Sequence, residues 1–388
     1  MNETPPTVVF LGTHGQHNIG DELLLETFLH QLGDDLSYVI NTYDEAFTAR
    51  QLEGRYRAEL IDTAGERRSL IRHLLAADAV VFGGGSIVKE LNAATGRNRY
   101  ATMLMILGVV TFARLVSRTP ICMLNIGVGP IRTRIGRVLA RLILAQADLV
   151  TVRDPGSFAL CREIGLEDRV GSGTDAVYSV TPDWLLGPTG SSSETRAVDA
   201  PLRIALNLNH DIANPANWEH FQSELADAIR QLGADREIEL HGLPMQSRGK
   251  DHDDATVLVD FARRVPEVSF VEHRPSTPSD AAKIIQSCHV VLAERLHAIV
   301  MASILGVPAF ALAYDVKVSE LAAMLGLESA MVDINRPFAA TEISEPVGVL
   351  LDDIDGTRER MRGRAGVLAT RARADFDHAR AWLREQVA

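Results

Sequence analysis

Cysteine is scarce: Cys122, Cys161 and Cys288 are the only three in 388 residues. They are far apart and set in apolar surroundings, with neither pairing nor metal-ligand spacing. This excludes a disulfide framework and reads as reduced core thiols, which suits the cytoplasm. Lysine is rare as well. Lys89, Lys250, Lys283 and Lys317 stand among 39 basic residues, the rest being arginine, which we read as compositional bias. Positive charge is in deficit, with 51 acidic residues and a formal charge of −12. A general nucleic-acid binder is therefore disfavoured, and any anionic ligand must be held by local groups. Long apolar runs are missing. The start, MNETPPTVVF, lacks the basic residues and apolar stretch of a signal peptide, and the run from Met103 to Ala113 is too short to span a bilayer. A cytoplasmic location is expected, with any contact to the inner face of the membrane peripheral. No G-x-G-x-x-G lies in a strand-turn-helix context and there is no P-loop lysine signature, which disfavours a nicotinamide, flavin or P-loop enzyme.

What is present is alternation. Buried-strand runs at Val8 to Leu11, Tyr38 to Asn41, Ala79 to Phe82, Ile121 to Asn125 and Leu149 to Val152 are separated by helical patterns, among them Arg67 to Ala77, Tyr100 to Val116 and Ile135 to Ala147. Strands alternating with helices of this length indicate a parallel sheet covered on both faces, with ligands at the carboxyl ends of the strands. Composition turns to Gly, Ser, Thr and Pro between Pro182 and Pro201, and we read a linker there. Alternation then resumes, with strands expected at Arg203 to Leu208, Glu237 to Leu240, Val268 to Val271, Val290 to Ala293 and Ala309 to Ala313. The expected organisation is a first Rossmann-like α/β domain over 1–183 on the acceptor side, a linker at 184–200, a second over 201–335 on the donor side, and a helical segment at 336–388. Two such halves joined by one linker imply a cleft between facing strand ends, as in the GT-B type of transferase. The Arg-rich tail carries interspersed acids, which favours a closing helix with a solvated charged face over a basic helix lying on an anionic membrane.

Chemistry concentrates in HVVLAERLHAIVMASILGVP, from His289 to Pro308. A short strand run passes into an apolar helical run stopped by Gly306 and Pro308, and the join holds Glu294, Arg295 and His297, three groups costly to bury. If extended geometry persists through the join, Arg295 and His297 share a face. An anion-binding group then stands beside one that titrates near neutral pH. Gly83, Gly84 and Gly85 follow a strand directly, where glycine lets backbone approach a ligand or simply makes a tight turn. His14, His17 and Asp21 invite a metal reading, but loop composition explains them, and no metal or cofactor is expected.

In this order and at these separations, several elements carry a resemblance. They are HNIGDELLL at His17 to Leu25, FGGGSIV at Phe82 to Val88, VRDPGSFALCREIG at Val152 to Gly165, GTDAVYS with Asp175, ERLHAIVMASILGVP at Glu294 to Pro308, and YDVKV at Tyr314 to Val318. The chain resembles the polysaccharide pyruvyl transferase family from about Val8 to Leu327, with Ser86 where the family often has a fourth glycine. The resemblance implies transfer of pyruvate from phosphoenolpyruvate, a co-substrate rather than a cofactor, to two hydroxyls of a sugar or glycan that is free or lipid-linked. A cyclic ketal forms and phosphate leaves. Such a donor needs convergent guanidinium groups, for which Arg153 and Arg295 are the natural pair, one from each domain. His297 is the expected acid/base and Lys317 a further positive charge. Asn18, Asp21, Asp175, Glu294 and the turn Gly83 to Ser86 are left for the acceptor or for orienting the arginines. The partners expected are these substrates and a second copy of the chain. The competing expectations are a GT-B nucleotide-sugar glycosyltransferase and a non-catalytic glycan-binding relative.

Overall fold

The strands expected from their unbroken apolar character are buried from end to end: AVVFG, VVLA and AFALA have no exposed residue. Strands of this kind need cover on both faces, which parallel sheets with crossover helices supply. A computed structural model of the chain describes residues 5–63, 65–91, 97–188, 201–210, 214–247 and 253–387. The elements in order are β1 (Thr7–Leu11), α1 (Ile19–Leu32), β2 (Ser37–Thr42), α2 (Glu45–Leu52), β3 (Ala58–Asp62), α3 (Arg67–Ala76), β4 (Ala79–Gly83), α4 (Ala101–Phe112), β5 (Ile121–Ile126), α5 (Arg134–Leu144), β6 (Leu149–Val152), α6 (Pro155–Glu163) and β7 (Gly171–Ser172). After α7 (Pro182–Leu186) come β8 (Leu202–Asn207), α8 (Trp218–Leu232), β9 (Ile238–Gly242), α9 (Asp254–Ala262), β10 (Ser269–Glu272), α10 (Pro278–Ser287), β11 (Val290–Ala293), α11 (Leu296–Leu305), β12 (Ala309–Ala313), α12 (Val316–Leu325) and β13 (Met331–Asp333). Two helices end the chain, α13 (Thr341–Asp352) and α14 (Ile354–Val387).

The strands form two all-parallel sheets, β3-β2-β1-β4-β5-β6-β7 and β10-β9-β8-β11-β12-β13. Apart from β7 the two orders are the same, so each sheet is doubly wound and reverses direction once, between β1 and β4 in the first and between β8 and β11 in the second. Ligand sites of such sheets lie at that reversal, beyond the carboxyl ends of the strands. By contacts the chain divides into one unit of Met1–Gln16, Asp21–Ser179 and Leu368–Ala388, and a second of His17–Gly20 and Val180–Val367. Each unit carries one sheet.

Local chemistry sets the helix starts. Asp44, Asp154, Asp253 and Asp315 each cap a helix through the side chain, and Thr277 with Asp280 forms a capping box ahead of α10. Two elements depart from expectation, and the tail follows it. The helix expected from Tyr100 to Val116 is α-helical only to Phe112 and finishes as a π-helical turn, Ala113–Ser117, closed by Arg118 in the left-handed region. Within the stretch read as a linker, α7 is folded: Thr181 caps it, Leu185 and Leu186 are buried, and Ser279 Oγ donates to the Leu186 carbonyl at 2.6 Å. The rest of that stretch, from 189, lies outside the described residues. The tail buries a continuous stripe, including Met361, Leu368, Ala372, Phe376 and Leu383, so α14 is a packed helix with a solvated charged face. Its apolar side is not available to a bilayer.

Phe376 anchors the end of that stripe in the first unit, fully buried and edge-on to Phe28 at 5.1 Å. Phe376→Ala should lower stability by about 3–5 kcal/mol in urea denaturation. Val367→Ala, on the exposed side of the same helix, should change it by less than about 0.5 kcal/mol.

Candidate active site

In the second unit the sheet reverses between β8 and β11, where Asn207 and Ala293 are register partners at the strand ends. Asn207 is fully buried and fastens three segments there. Its carbonyl accepts from Glu294 N at 3.1 Å, its Oδ1 accepts from Arg295 N at 2.8 Å, and its Nδ2 donates to the Leu243 carbonyl at 2.8 Å. Glu294 is fully buried, and its Oε1 accepts from Asn209 N at 3.2 Å. Burial, stronger than the pull of Asn209 N–H and of the Arg295 charge, raises its carboxyl well above the usual range.

Arg295 ends the extended segment with φ −73° and ψ 126°, and α11 begins at Leu296. Extended geometry does not reach His297, so the shared-face expectation gives way: His297 stands on the first helical turn. The Arg295 guanidinium meets Asp254 in a two-pronged pair, Nε to Oδ2 at 3.0 Å and Nη2 to Oδ1 at 2.6 Å. Side-chain exposure is 12% for Arg295 and 1% for Asp254. Burial opposes the arginine's charge, yet the Asp254 carboxylate outweighs it and holds its pKa above the ordinary value. Oδ2 of Asp254 also accepts from Met245 N at 3.0 Å and Gln246 N at 3.1 Å. The segment so fixed pairs with the N-x-G element. Asn18 bridges Gln246 in antiparallel fashion, Ile19 N donates to the Met245 carbonyl at 2.8 Å, and Ser247 N donates to the His17 carbonyl at 3.2 Å. This seats Gly20 against the imidazole of His297, where a Cβ would collide with the ring. Glycine is required here by close approach. Lys317 is half-buried in the first turn of α12, one strand over from β11.

In the first unit the expected residues also gather at strand ends. Gly83 closes β4 where a Cβ would strike the ring of Phe10, and Gly84 and Gly85 turn through φ +60° and +65°. Gly85 lies beside Asp21, whose Oδ1 would be 3.9 Å from a Cβ there. Arg153, 7% exposed at the end of β6, is engaged at every nitrogen: Nη1 donates to Asp175 Oδ2 at 3.1 Å, Nη2 to Ser86 Oγ at 3.1 Å, and Nε is 3.6 Å from Asp154 Oδ2. Ser86, the departure from a fourth glycine, thus ties the turn to Arg153. Beneath the loop after β1, His14 is buried and stacked on Phe10 at 5.3 Å. Burial lowers its pKa to about 3 against a weaker pull from the Asp21 backbone, so it is neutral. Glu22 is 1% exposed and accepts from Gly15 N at 2.7 Å. Burial raises it to about 8, beyond what the Gly15 N–H restores. Among the described residues no group of three or more His, Cys, Asp or Glu is arranged to hold a metal.

The sequence pattern missed Asp254 and Asn207. Asp254 follows Asp253, whose side chain caps α9 at Thr256 N, so a pair of acids at a helix start looked sufficient for capping alone. The usable signal was redundancy, since one Asp caps and the second is left for other work. For Asn207 the signal was a polar residue closing a buried strand, shared with Asn41, which exchanges two bonds with the Gly12 backbone, and with Asn125, which donates to the Thr174 carbonyl.

Asp254→Ala would leave the Arg295 charge buried and unmatched, and should cost about 3–5 kcal/mol in urea denaturation. A cost below about 1 kcal/mol would mean that water replaces the carboxylate. For Glu22, the folded chain holds its proton more tightly than the unfolded chain. The stability it contributes is complete below its ordinary pKa of 4.5 and is lost as pH rises towards about 8. Glu22→Gln keeps an acceptor for Gly15 N but cannot ionise. Its stability relative to the wild type should climb across that window, by at most about 1.4 kcal/mol per pH unit, and level off above it.

The model of the family described as Polysaccharide pyruvyl transferase matches residues 18–316. That span begins at Asn18 and contains the glycine turn, Arg153, Asp175, Asp254 and Glu294 to His297; Lys317 falls one residue beyond it. No curated protein matches the chain significantly. Among solved structures, Anabaena HepE in complex with UDP-glucose is similar at 14% identity and a TM-score of 0.59, over 98% of this chain and 99% of that one. A glycosyltransferase from Rickettsia africae is similar at 10% identity and a TM-score of 0.60, over 99% of both chains. A putative UDP-N-acetylglucosamine 2-epimerase from Listeria monocytogenes is similar at 10% identity and a TM-score of 0.60, over 95% of this chain and 94% of that one. At these identities the likeness is one of fold, two Rossmann-like domains of the GT-B kind. Kinship comes instead from the family match, which covers most of the chain, and by it the protein belongs to the polysaccharide pyruvyl transferase family.

Proposed function

We propose that the protein moves pyruvate from phosphoenolpyruvate onto two hydroxyls of a sugar in a cell-surface polysaccharide or glycan precursor, closing a cyclic ketal and releasing phosphate. The observation that carries this is the start of α11, where a guanidinium held rigid by Asp254 and a half-buried imidazole stand two residues apart. Asp254 occupies Nε and Nη2 of Arg295. Nη1 is the edge left for the donor, fixed in direction because the other two nitrogens are pinned.

The chemistry needs a proton moved rather than an electron. The methylene carbon of the enol gains a proton and becomes a methyl group, the adjacent carbon takes on oxocarbenium character, and a sugar hydroxyl adds to it. The second hydroxyl adds to the same carbon as the carbon–oxygen bond to phosphate breaks. Of the two hydroxyl protons, one is recovered for the methyl group and the other leaves with phosphate. His297 gives the proton to the methylene carbon and regains one from the first hydroxyl, and Gly20 leaves its imidazole room to do so. Lys317 adds positive charge for the departing phosphate. Arg153, expected as a second donor ligand, would have to exchange one of its three partners to reach a substrate. In this proposal it holds the Ser86 end of the glycine turn.

The test is phosphate release that depends on both phosphoenolpyruvate and a sugar acceptor. His297→Ala should lower kcat by about 10²- to 10⁴-fold while donor binding persists, and turnover within a few-fold of the wild type would remove His297 from the mechanism. A second reading, a nucleotide-sugar transferase, is favoured by the UDP-glucose in the similar Anabaena structure. Release of UDP from UDP-glucose without phosphoenolpyruvate would put that reading first.

A further inference from the structure

The first unit leaves a large apolar surface open on one side of its sheet. The helices α3, α4 and α5 bury Leu74, Met103, Ile106, Leu139 and Ile143 in the core against that sheet. Their outer faces are nearly as apolar. On α4 and its π-helical end Leu104 and Met105 are exposed, and Leu115 and Val116 are 71% and 58% exposed. On α5 the outward residues include Ile135, Val138 and Leu142, and on α3 they are Ile71 and Leu75. Nine of the thirteen large hydrophobic residues exposed among the described residues therefore sit on these three helices. They share one surface, because α4 packs along α5 and its π-helical end packs on α3. A patch of this kind marks an interaction site.

Charge says what covers it. In a chain of net charge −12, these helices with the π-helical turn carry seven arginines and no Asp or Glu. Arg114 is matched by Asp148, and Arg137 by Glu163 at 3.4 Å. Arg67, Arg68, Arg72 and Arg134 are exposed and form no ion pair among the described residues. On α5 the arginines alternate with the apolar positions, Arg134 before Ile135, Arg137 before Val138 and Arg141 before Leu142. Arg134, Arg137 and Arg141 are all exposed, so cationic and apolar side chains share the outer part of this helix. A nucleic acid would match the charge and leave Leu115 and Val116 wet. An acidic protein would need its own apolar face. A bilayer of anionic lipid matches both at once, with phosphates at the level of the guanidinium groups and acyl chains beneath them. No helix among the described residues is long and apolar enough to cross a membrane, so the contact lies in the interface plane.

We propose that the outer face of α3, α4 and α5 docks on an anionic membrane surface. It would bring the protein to glycans carried on lipid, whatever group the enzyme transfers to them, so it stands apart from the pyruvyl-transfer proposal.

The test is co-sedimentation of the full chain with vesicles of phosphatidylglycerol and phosphatidylcholine, against phosphatidylcholine alone. Binding is expected only to the anionic vesicles and should weaken with added salt. The double variants Leu115→Ser/Val116→Ser and Arg67→Glu/Arg68→Glu should each lower partitioning about tenfold or more. No binding to anionic vesicles, or binding that neither variant weakens, would overturn the assignment. So would a wild-type dimer that Leu115→Ser/Val116→Ser converts to monomer without any vesicle binding, since the face would then belong to a second copy.

Discussion

A single buried carboxylate organises the second unit. Asp254 accepts two bonds from Arg295 and two from the backbone at Met245 and Gln246. A charge so far from water is tolerable only with a full set of donors, so the chain must deliver them together. Doing so brings the start of α9, the loop after β9, the join of β11 with α11 and the N-x-G element at Asn18 to one place. Gly20 and His297 meet as a result. The seat of Gly20 against the imidazole is thus tied to the bonds that Asp254 collects.

The first unit solves a similar problem with the signs exchanged. There the buried cation is Arg153, and Asp175, Asp154 and Ser86 are gathered around it from the ends of different strands. In both units an asparagine closes a central strand and ties a neighbouring loop to the sheet, Asn125 in the first and Asn207 in the second. The positions of the charged groups relative to the sheets are therefore fixed by buried bonds rather than by loop conformation. Such rigidity suits the proposed role, in which a guanidinium and an imidazole address one small ligand.

Strands buried on both faces were legible because apolar residues dominate them. Val290–Ala293, Ala309–Ala313 and Leu149–Val152 fall where their composition places them. The pair α2 and β3 was not legible: EAFTARQL and AELID mix charged and apolar residues without a clean period, since each buries only part of one face. The chemistry of Arg295 and His297 could be read from residue type, but their mutual geometry could not. It depends on where the helix begins, and a backbone held at Asn207 decides that. Asp254 was hidden because its partners lie up to 41 residues away, and no local pattern records a tertiary bond.

Donor binding measured by calorimetric titration bears most directly on the central claim, that the α11 start receives phosphoenolpyruvate. The account predicts saturable binding of phosphoenolpyruvate to the wild-type protein, tighter than that of phosphate and weakened at least tenfold in Arg295→Lys, whose single ammonium cannot hold Asp254 and a ligand in the same fork. Tight binding of UDP together with no detectable binding of phosphoenolpyruvate would contradict it.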